Sequence, residues 1–338
     1  TTEDSQNTLI QSDYVLPIGE NTQFEMGYRG EFQDLTSDFL VTRTPALDFD
    51  PSNDLVFQQN VNAIYSQFGR KLNKFSYLMG LRTEITNVKV RLTNTNENFD
   101  YKYTELFPTI NIGFERTENQ SFTLGYSRRL RRPRFWYLNP FESRSSQNVI
   151  YKGNPGLTPT FTNSFDAGYL QKIGKLTLNS SIYLQHSINS ILRVSRDEIR
   201  LLDGVNQVIT IREPINLASE DRFGFELTAN YNPSKKVRLS GSFNVYQQIS
   251  EGIYEYNKFT IDEITGAISA TPEIQDLGNT NNSWFTRFNA TFSLPWKIQM
   301  QNRLSYRGPR NTAQSESKGI FSANAALSKD VFDDKGTL

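Results

Sequence analysis

Residues 222–245 read RFGFELTANYNPSKKVRLSGSFNV. Phe223, Phe225, Leu227, Ala229 and Tyr231 alternate with Arg222, Glu226, Thr228 and Asn230. Val237, Leu239, Phe243 and Val245 oppose Arg238, Ser240, Ser242 and Asn244. A period of two sends successive side chains to opposite faces of a strand. The joint at 232–236, Asn-Pro-Ser-Lys-Lys, is made of turn-forming residues. The stretch therefore predicts two long antiparallel strands, each apolar on one face and polar on the other, joined by a tight turn.

The same rhythm runs through the chain. Phe24, Met26, Tyr28 and Phe32 are interleaved with Gln23, Glu25, Arg29 and Glu31; Leu176, Leu178, Ile182, Leu184 and Ile188 oppose Thr177, Asn179, Ser181 and Gln185. Short joints fall near 17–20, 69–74, 116–120, 172–175, 232–236, 294–297 and 333–336. Long joints fall between them, near 34–54, 87–100, 131–159, 193–207, 252–281 and 308–318. We count about 13 strands and the start of another, many of ten residues or more. An ordinary globular strand averages about five or six residues, whereas a tilted membrane strand needs about nine to eleven. Alternating short and long connections belong to an up-and-down barrel with short periplasmic turns and long extracellular loops. The expected fold is all-β: a transmembrane antiparallel up-and-down β-barrel. A soluble sandwich also alternates in and out, but strand length and loop asymmetry decide against it. A β-helix lacks the short fixed repeat it would need.

Composition agrees with this reading and narrows the function. Aromatic residues make up 13% of the 338 residues, which suits strands and interfacial girdles. The mean hydropathy of −0.55 is no obstacle, because a wet barrel interior dilutes the lipid-facing residues. Thirty-six Lys and Arg balance 36 Asp and Glu, so no bulk charge points to nucleic acid. No Cys and a single His exclude thiolate chemistry and the usual zinc sites. No cofactor is expected. Asp48, Asp50, Asn53 and Asp54 are the right ligand type for calcium, but the Gly and closing Glu of an EF-hand are missing, so an acidic surface loop is expected.

Residues 126–169 read YSRRLRRPRFWYLNPFESRSSQNVIYKGNPGLTPTFTNSFDAGY. Tyr126-Ser127-Arg128-Arg129, Arg132-Pro133, Leu138-Asn139-Pro140-Phe141, the run Gly153 to Pro159 and the strand end Gly168-Tyr169 together resemble the barrel domain of TonB-dependent outer-membrane receptors of the Bacteroidetes type. Leu106-Phe107-Pro108 and Leu327-Ser328-Lys329-Asp330 fit the same pattern. The resemblance implies a barrel of about 22 strands with an N-terminal plug inside it. It also implies uptake of a scarce solute by force relayed from the TonB complex. On that basis residues 1–338 are expected to be part of a single barrel domain, with about 13 or 14 strands present. The plug, the TonB-contacting segment and the terminal strands are expected to lie outside them. The expected location is the cell outer membrane.

Candidate functional residues follow from position. Arg128, Arg129, Arg131, Arg132 and Arg134 form a basic run at the end of a strand. Such guanidiniums suit pairing with carboxylates of the barrel or plug, or binding an anionic ligand or lipopolysaccharide phosphates. Arg131, Arg132, Arg134, Trp136, Tyr137, Tyr254, Tyr256 and Phe259 are expected to contribute ligand or loop–loop contacts in extracellular loops, where recognition residues concentrate. Arg129, Arg222, Glu226, Arg238 and Arg287 are expected to face the lumen or plug, since Arg against hydrocarbon costs about 2–4 kcal/mol at the midplane. His186 shares the parity of Leu184 and Ile188 and so is expected on the lipid face, where a catalytic His has no cleft.

The expected function is an active-transport receptor barrel and not an enzyme. Its expected partners are the bilayer and lipopolysaccharide, its own plug, and TonB through the plug; whether a surface lipoprotein caps the barrel is not legible. The alternative is an outer-membrane structural or assembly component that keeps the receptor fold without carrying solute. The transported substrate is not legible, because fold does not fix function.

Overall fold

The computed structural model describes residues 2–40, 52–93, 96–146, 148–202, 204–262, 264–331 and 336–337. In chain order the elements begin with β1 (Thr2–Pro17), β2 (Thr22–Phe39), β3 (Asn53–Leu72), β4 (Phe75–Leu92), β5 (Glu97–Thr117) and β6 (Gln120–Arg131). A helical turn α1 (Phe135–Leu138) and the short strands β7 (Glu142–Ser146) and β8 (Val149–Lys152) follow. Then come β9 (Thr160–Ile173), β10 (Leu176–Ile188), β11 (Ile191–Leu202), β12 (Val205–Asn216), β13 (Ser219–Ser234) and β14 (Val237–Glu251). The chain continues with β15 (Ile253–Ile261), β16 (Ile268–Asp276), β17 (Asn279–Leu294), β18 (Ile298–Arg307), β19 (Arg310–Thr312), β20 (Ser315–Ser317), β21 (Ile320–Val331) and β22 (Gly336–Thr337).

Among the described residues, 14 strands form one antiparallel wall in the order β1-β2-β3-β4-β5-β6-β9-β10-β13-β14-β17-β18-β21-β22. Apart from the two-residue β22, its members run from 10 residues in β18 to 21 in β5. Neighbours in sequence are neighbours in the wall, so every wall connection is a hairpin. At one end the hairpins close tightly: Asn73 and Gly174 take φ of 53° and 56°, the left-handed values such turns need. At the other end the connections after β6, β10, β14 and β18 are long and carry the elements that are not part of the wall, whereas the long joint expected near 87–100 is a hairpin in which β4 and β5 pair out to Leu92 and Glu97.

Register keeps the two faces distinct. Ile112, Leu124, Ala167, Ile182, Phe225, Val245 and Trp284 are successive cross-strand partners. They form one apolar row across seven strands. One residue away, Gly113, Thr123, Gly168, Ser181, Glu226 and Asn244 form a polar row on the opposite face. Near the tight-turn end, Phe75, Phe114, Phe122 and Tyr169 line up on the apolar face with centroid separations of 4.8, 6.4 and 4.8 Å. Rings in that position form an interfacial belt.

The wall has no core of its own, since one face is apolar and open. Its largest cluster of buried residues sits where the long connections fold back on it. Leu35, Leu55, Phe57, Val88, Val90 and Leu92 are buried together with Leu138 and Leu157 of the connection between β6 and β9. Val88 and Val90 share the face of Arg82 and Glu84, so the upper polar face turns apolar where α1 and its flanks cover it. Each such side chain contributes roughly 1.5–3 kcal/mol when fully buried. The expected acidic loop at Asp48 and Asp50 lies outside the described residues. Among the described residues no cluster of metal-ligand type is present.

Candidate functional site

The long connections assemble into one body. Strands β11 and β12 form a hairpin, β12 pairs in parallel with β8 through Thr210–Val149, Ile211–Ile150 and Arg212–Tyr151, and β7 completes a four-stranded sheet. Ile150, Ile209 and Ile211 are fully buried between them. The 154–159 segment is fastened to this sheet. Asn154 Nδ2 donates to the Pro214 carbonyl at 3.2 Å, and Thr158 N donates to Asn216 Oδ1 at 2.9 Å. Hairpin β15–β16 joins through Tyr254, buried with Val194, Leu217 and Leu277. Gln314 of the β19–β20 hairpin accepts from Ser195 N at 2.8 Å and donates to Gln275 Oε1 at 2.9 Å.

A charged network runs through the joint. Arg200 donates to both oxygens of Glu142 and, at 2.7 Å, to Glu198. Arg196 bonds Glu198 and reaches Glu213 at 3.2 Å. Glu213 also accepts from the Tyr254 hydroxyl. The Arg200 hydrogen bonds hold the Glu142 carboxyl below its usual range. Burial works against charge on Glu198, but bonds from Arg200 and Arg196 outweigh it and lower that carboxyl too. Burial and the bond to Glu213 push the Tyr254 phenol up. None of Glu142, Arg196, Glu198, Arg200 or Glu213 was anticipated as a site. The available signal was Arg196, Glu198 and Arg200 at a spacing of two, which sets three opposite charges on one strand face.

The expected loop residues divide. Arg131, paired with Thr160, ends β6 exposed. Arg132 turns back to Glu84 and, at 3.0 Å, to Thr86 Oγ1. Its buried Nε has no hydrogen-bond partner. Arg134 lies over the Trp136 ring at 5.0 Å, and Trp136 is 45% exposed. Tyr137 is covered by Arg193 at 5.1 Å and packs on the core beneath α1. Tyr254 is 6% exposed: its hydroxyl is taken by Glu213 of β12 and its face stacks on Tyr256 at 5.2 Å, so the contact it makes is between connections. Phe259 points to the opposite face of the same hairpin. A cavity of about 460 Å³ opens beside Arg132, lined by Tyr101, Tyr103, Pro133, Leu138 and Phe161.

On the polar face of the wall, Arg222 donates to Gln248 at 2.8 Å and lies 4.9 Å from the Tyr246 ring. Glu226 accepts from Asn244 at 2.6 Å, and Arg287 covers Phe285 at 5.2 Å. Arg129, paired with Thr162, and Arg238, paired with Thr291, occupy the same face. Arg128 fills the fork where β5 and β6 part, 3.0 Å from Glu105. His186 lies on the apolar face at the long-connection end, its Nδ1 2.7 Å from Asp221 Oδ1.

A sequence model described as the outer membrane protein beta-barrel family matches residues 1–338. The chain belongs to that family. No curated protein matches the sequence. Among solved structures it is similar to the copper transporter OprC, at 13% identity and a TM-score of 0.62 over 97% of this chain and 48% of that one. It is also similar to the ferric yersiniabactin uptake receptor FyuA from Yersinia pestis, at 11% identity and 0.60 over 98% and 47%. A third likeness is the ferric-catecholate import receptor Fiu from E. coli K12, at 13% identity and 0.60 over 97% and 49%. The chain spans about half the length of these structures. The barrel wall therefore stands in the outer membrane.

Proposed function

We propose that the barrel wall is part of an active-transport receptor that binds a scarce solute at its extracellular loops and imports it with energy relayed by TonB. The observation that carries the reading is the folded loop body at one end of the wall, with a cavity beside Arg132 where loops and wall meet. The likeness to a copper transporter and two ferric-chelate receptors supports it. In this reading the wall is one piece of a larger barrel domain closed by further strands. Its lumen holds a plug against Arg129, Arg222, Glu226, Arg238 and Arg287. Arg131, Arg134, Trp136 and Phe259 offer the outer contact surface, and Arg132 addresses the cavity. Lipopolysaccharide surrounds the rim, and a surface lipoprotein covers the loops. No catalytic step is assigned. His186 supports this, because its partner Asp221 lies with it on the apolar face, away from the lumen.

The test is uptake of labelled copper and ferric chelates by cells carrying the full-length gene, a deletion, or a tonB deletion. Loss of one solute's uptake in both deletions is expected. Unchanged uptake of every solute, with a damaged envelope in the gene deletion, favours the structural or assembly component instead.

A further inference from the structure

Hairpin β15–β16 has two unlike faces. Tyr254 and Tyr256 point to one, which packs on the base of β11–β12. The other carries the cross-strand pairs Ile253–Asp276, Glu255–Ile274, Phe259–Ala270 and Ile261–Ile268. Ile253, Ile268 and Ile274 are 62%, 42% and 66% exposed, and Ile264 at the tip is 96% exposed. The tip is held up rather than laid down. Asn206 of the β11–β12 turn donates to the Gly266 carbonyl at 3.4 Å, and Asp262 caps the turn by accepting from Ile264 N and Thr265 N at 2.9 and 2.8 Å. A two-stranded extracellular ribbon with an exposed apolar face is a surface awaiting a partner.

Charge says which partner. At the base of the face, each exposed isoleucine stands directly opposite a carboxylate, Ile253 against Asp276 and Ile274 against Glu255. The nearest cation on the hairpin, Lys258, is on the other face and paired with Glu273 at 3.1 Å. We propose that this face docks a polypeptide presenting apolar side chains flanked by Lys or Arg. An anionic lipid surface is disfavoured, because Glu255 and Asp276 would meet like charge. The inference does not depend on solute transport; it needs only that the hairpin lies outside the cell.

The test uses the full-length protein in detergent and a labelled monomeric peptide in which isoleucine alternates with lysine and threonine, read by fluorescence anisotropy. Binding is expected, weakened by salt. Replacing lysine by glutamate in the peptide, or Glu255→Lys in the protein, should each weaken it by about tenfold, and combining the two should restore it. Ile253→Asp with Ile274→Asp should abolish binding, since a carboxylate cannot be buried unpaired against the apolar strip. Equal binding of both peptides, or no effect of the Ile variants, overturns the proposal. So does a blue-shifted emission of Ile264→Trp on reconstitution into lipopolysaccharide bilayers without peptide, which would put the tip in lipid. Heat-modifiable migration on gels verifies that each variant is folded.

Discussion

Arg200 grips Glu142 through two hydrogen bonds, Nη1 to Oε2 at 2.6 Å and Nη2 to Oε1 at 3.0 Å. The pair joins the β11–β12 hairpin to the strand that follows α1, so two connections far apart in sequence share one planar contact. Forked Arg–carboxylate bonds are the strong kind. Both side chains keep about 30% exposure, so solvent screening reduces their worth to about 1–2 kcal/mol. Arg200→Ala should raise amide exchange in β7, β8, β11 and β12 while leaving β13 and β14 unchanged. A double-mutant cycle with Glu142→Gln should show coupling of that size. Exchange rising equally in the wall would mean the loops are not a separate unit.

The same network fixes how the loops respond to acid. Glu142 and Glu198 have carboxyls lowered in the folded state. A depressed carboxyl contributes stability above its unfolded pKa, and that contribution is lost as pH falls through the folded value. Loop protection should therefore be constant from about pH 8 to 5 and fall only below the ordinary Glu range of about 4.3. In Arg200→Ala protection should start lower and its fall in acid should be shallower, because the bonds that hold the two carboxyls down are gone. Proteolysis with an acid-active protease across that range gives the measurement.

Gly224 lies directly opposite Tyr183 in the wall. A Cβ at Gly224 would stand 2.5 Å from the ring of Tyr183, so the ring occupies the space a side chain would need. Gly224→Val should cost about 1–3 kcal/mol through overpacking and lower the temperature at which the folded band is lost on gels. Adding Tyr183→Ala should recover part of it. No recovery would show that the strain lies in the backbone.

Faces can be tested by charge. Ile182 belongs to the apolar row and Ser181 to the polar row, which the proposed reading sets against lipid and lumen. Ile182→Arg should reduce folding into bilayers by about 2–4 kcal/mol if it sits near the midplane, and Ser181→Arg by much less. Equal effects would remove the assignment of faces.

The wall was legible because its signal is local and periodic: alternation across Phe223 to Val245 survives in register with both neighbours. Turns at 73–74 and 174–175 fell within the expected joints, since their residues carry their own backbone preference. The loop body was not legible. The connections at 193–207 and 252–281 looked like plain loops, yet they are hairpins extending the wall's rhythm outward. Val88, Val90 and Leu92 break the polar parity of Arg82 and Glu84, a clue that something covers them, but nothing local names Leu138 and Leu157 as the cover. Arg132 was read from its place in the basic run, with pairing to a barrel or plug carboxylate and ligand contact both open. Its partner Glu84 is 48 residues away, and no spacing rule connects them.

The parallel ladder between β8 and β12 has a consequence for how this surface can diversify. Strands contributed by two different connections share one hydrogen-bond register, so an insertion in either shifts the frame of both. Immune or phage pressure that remodels one exposed loop at a time would break this ladder. Viable drift here must arrive as matched changes in both segments.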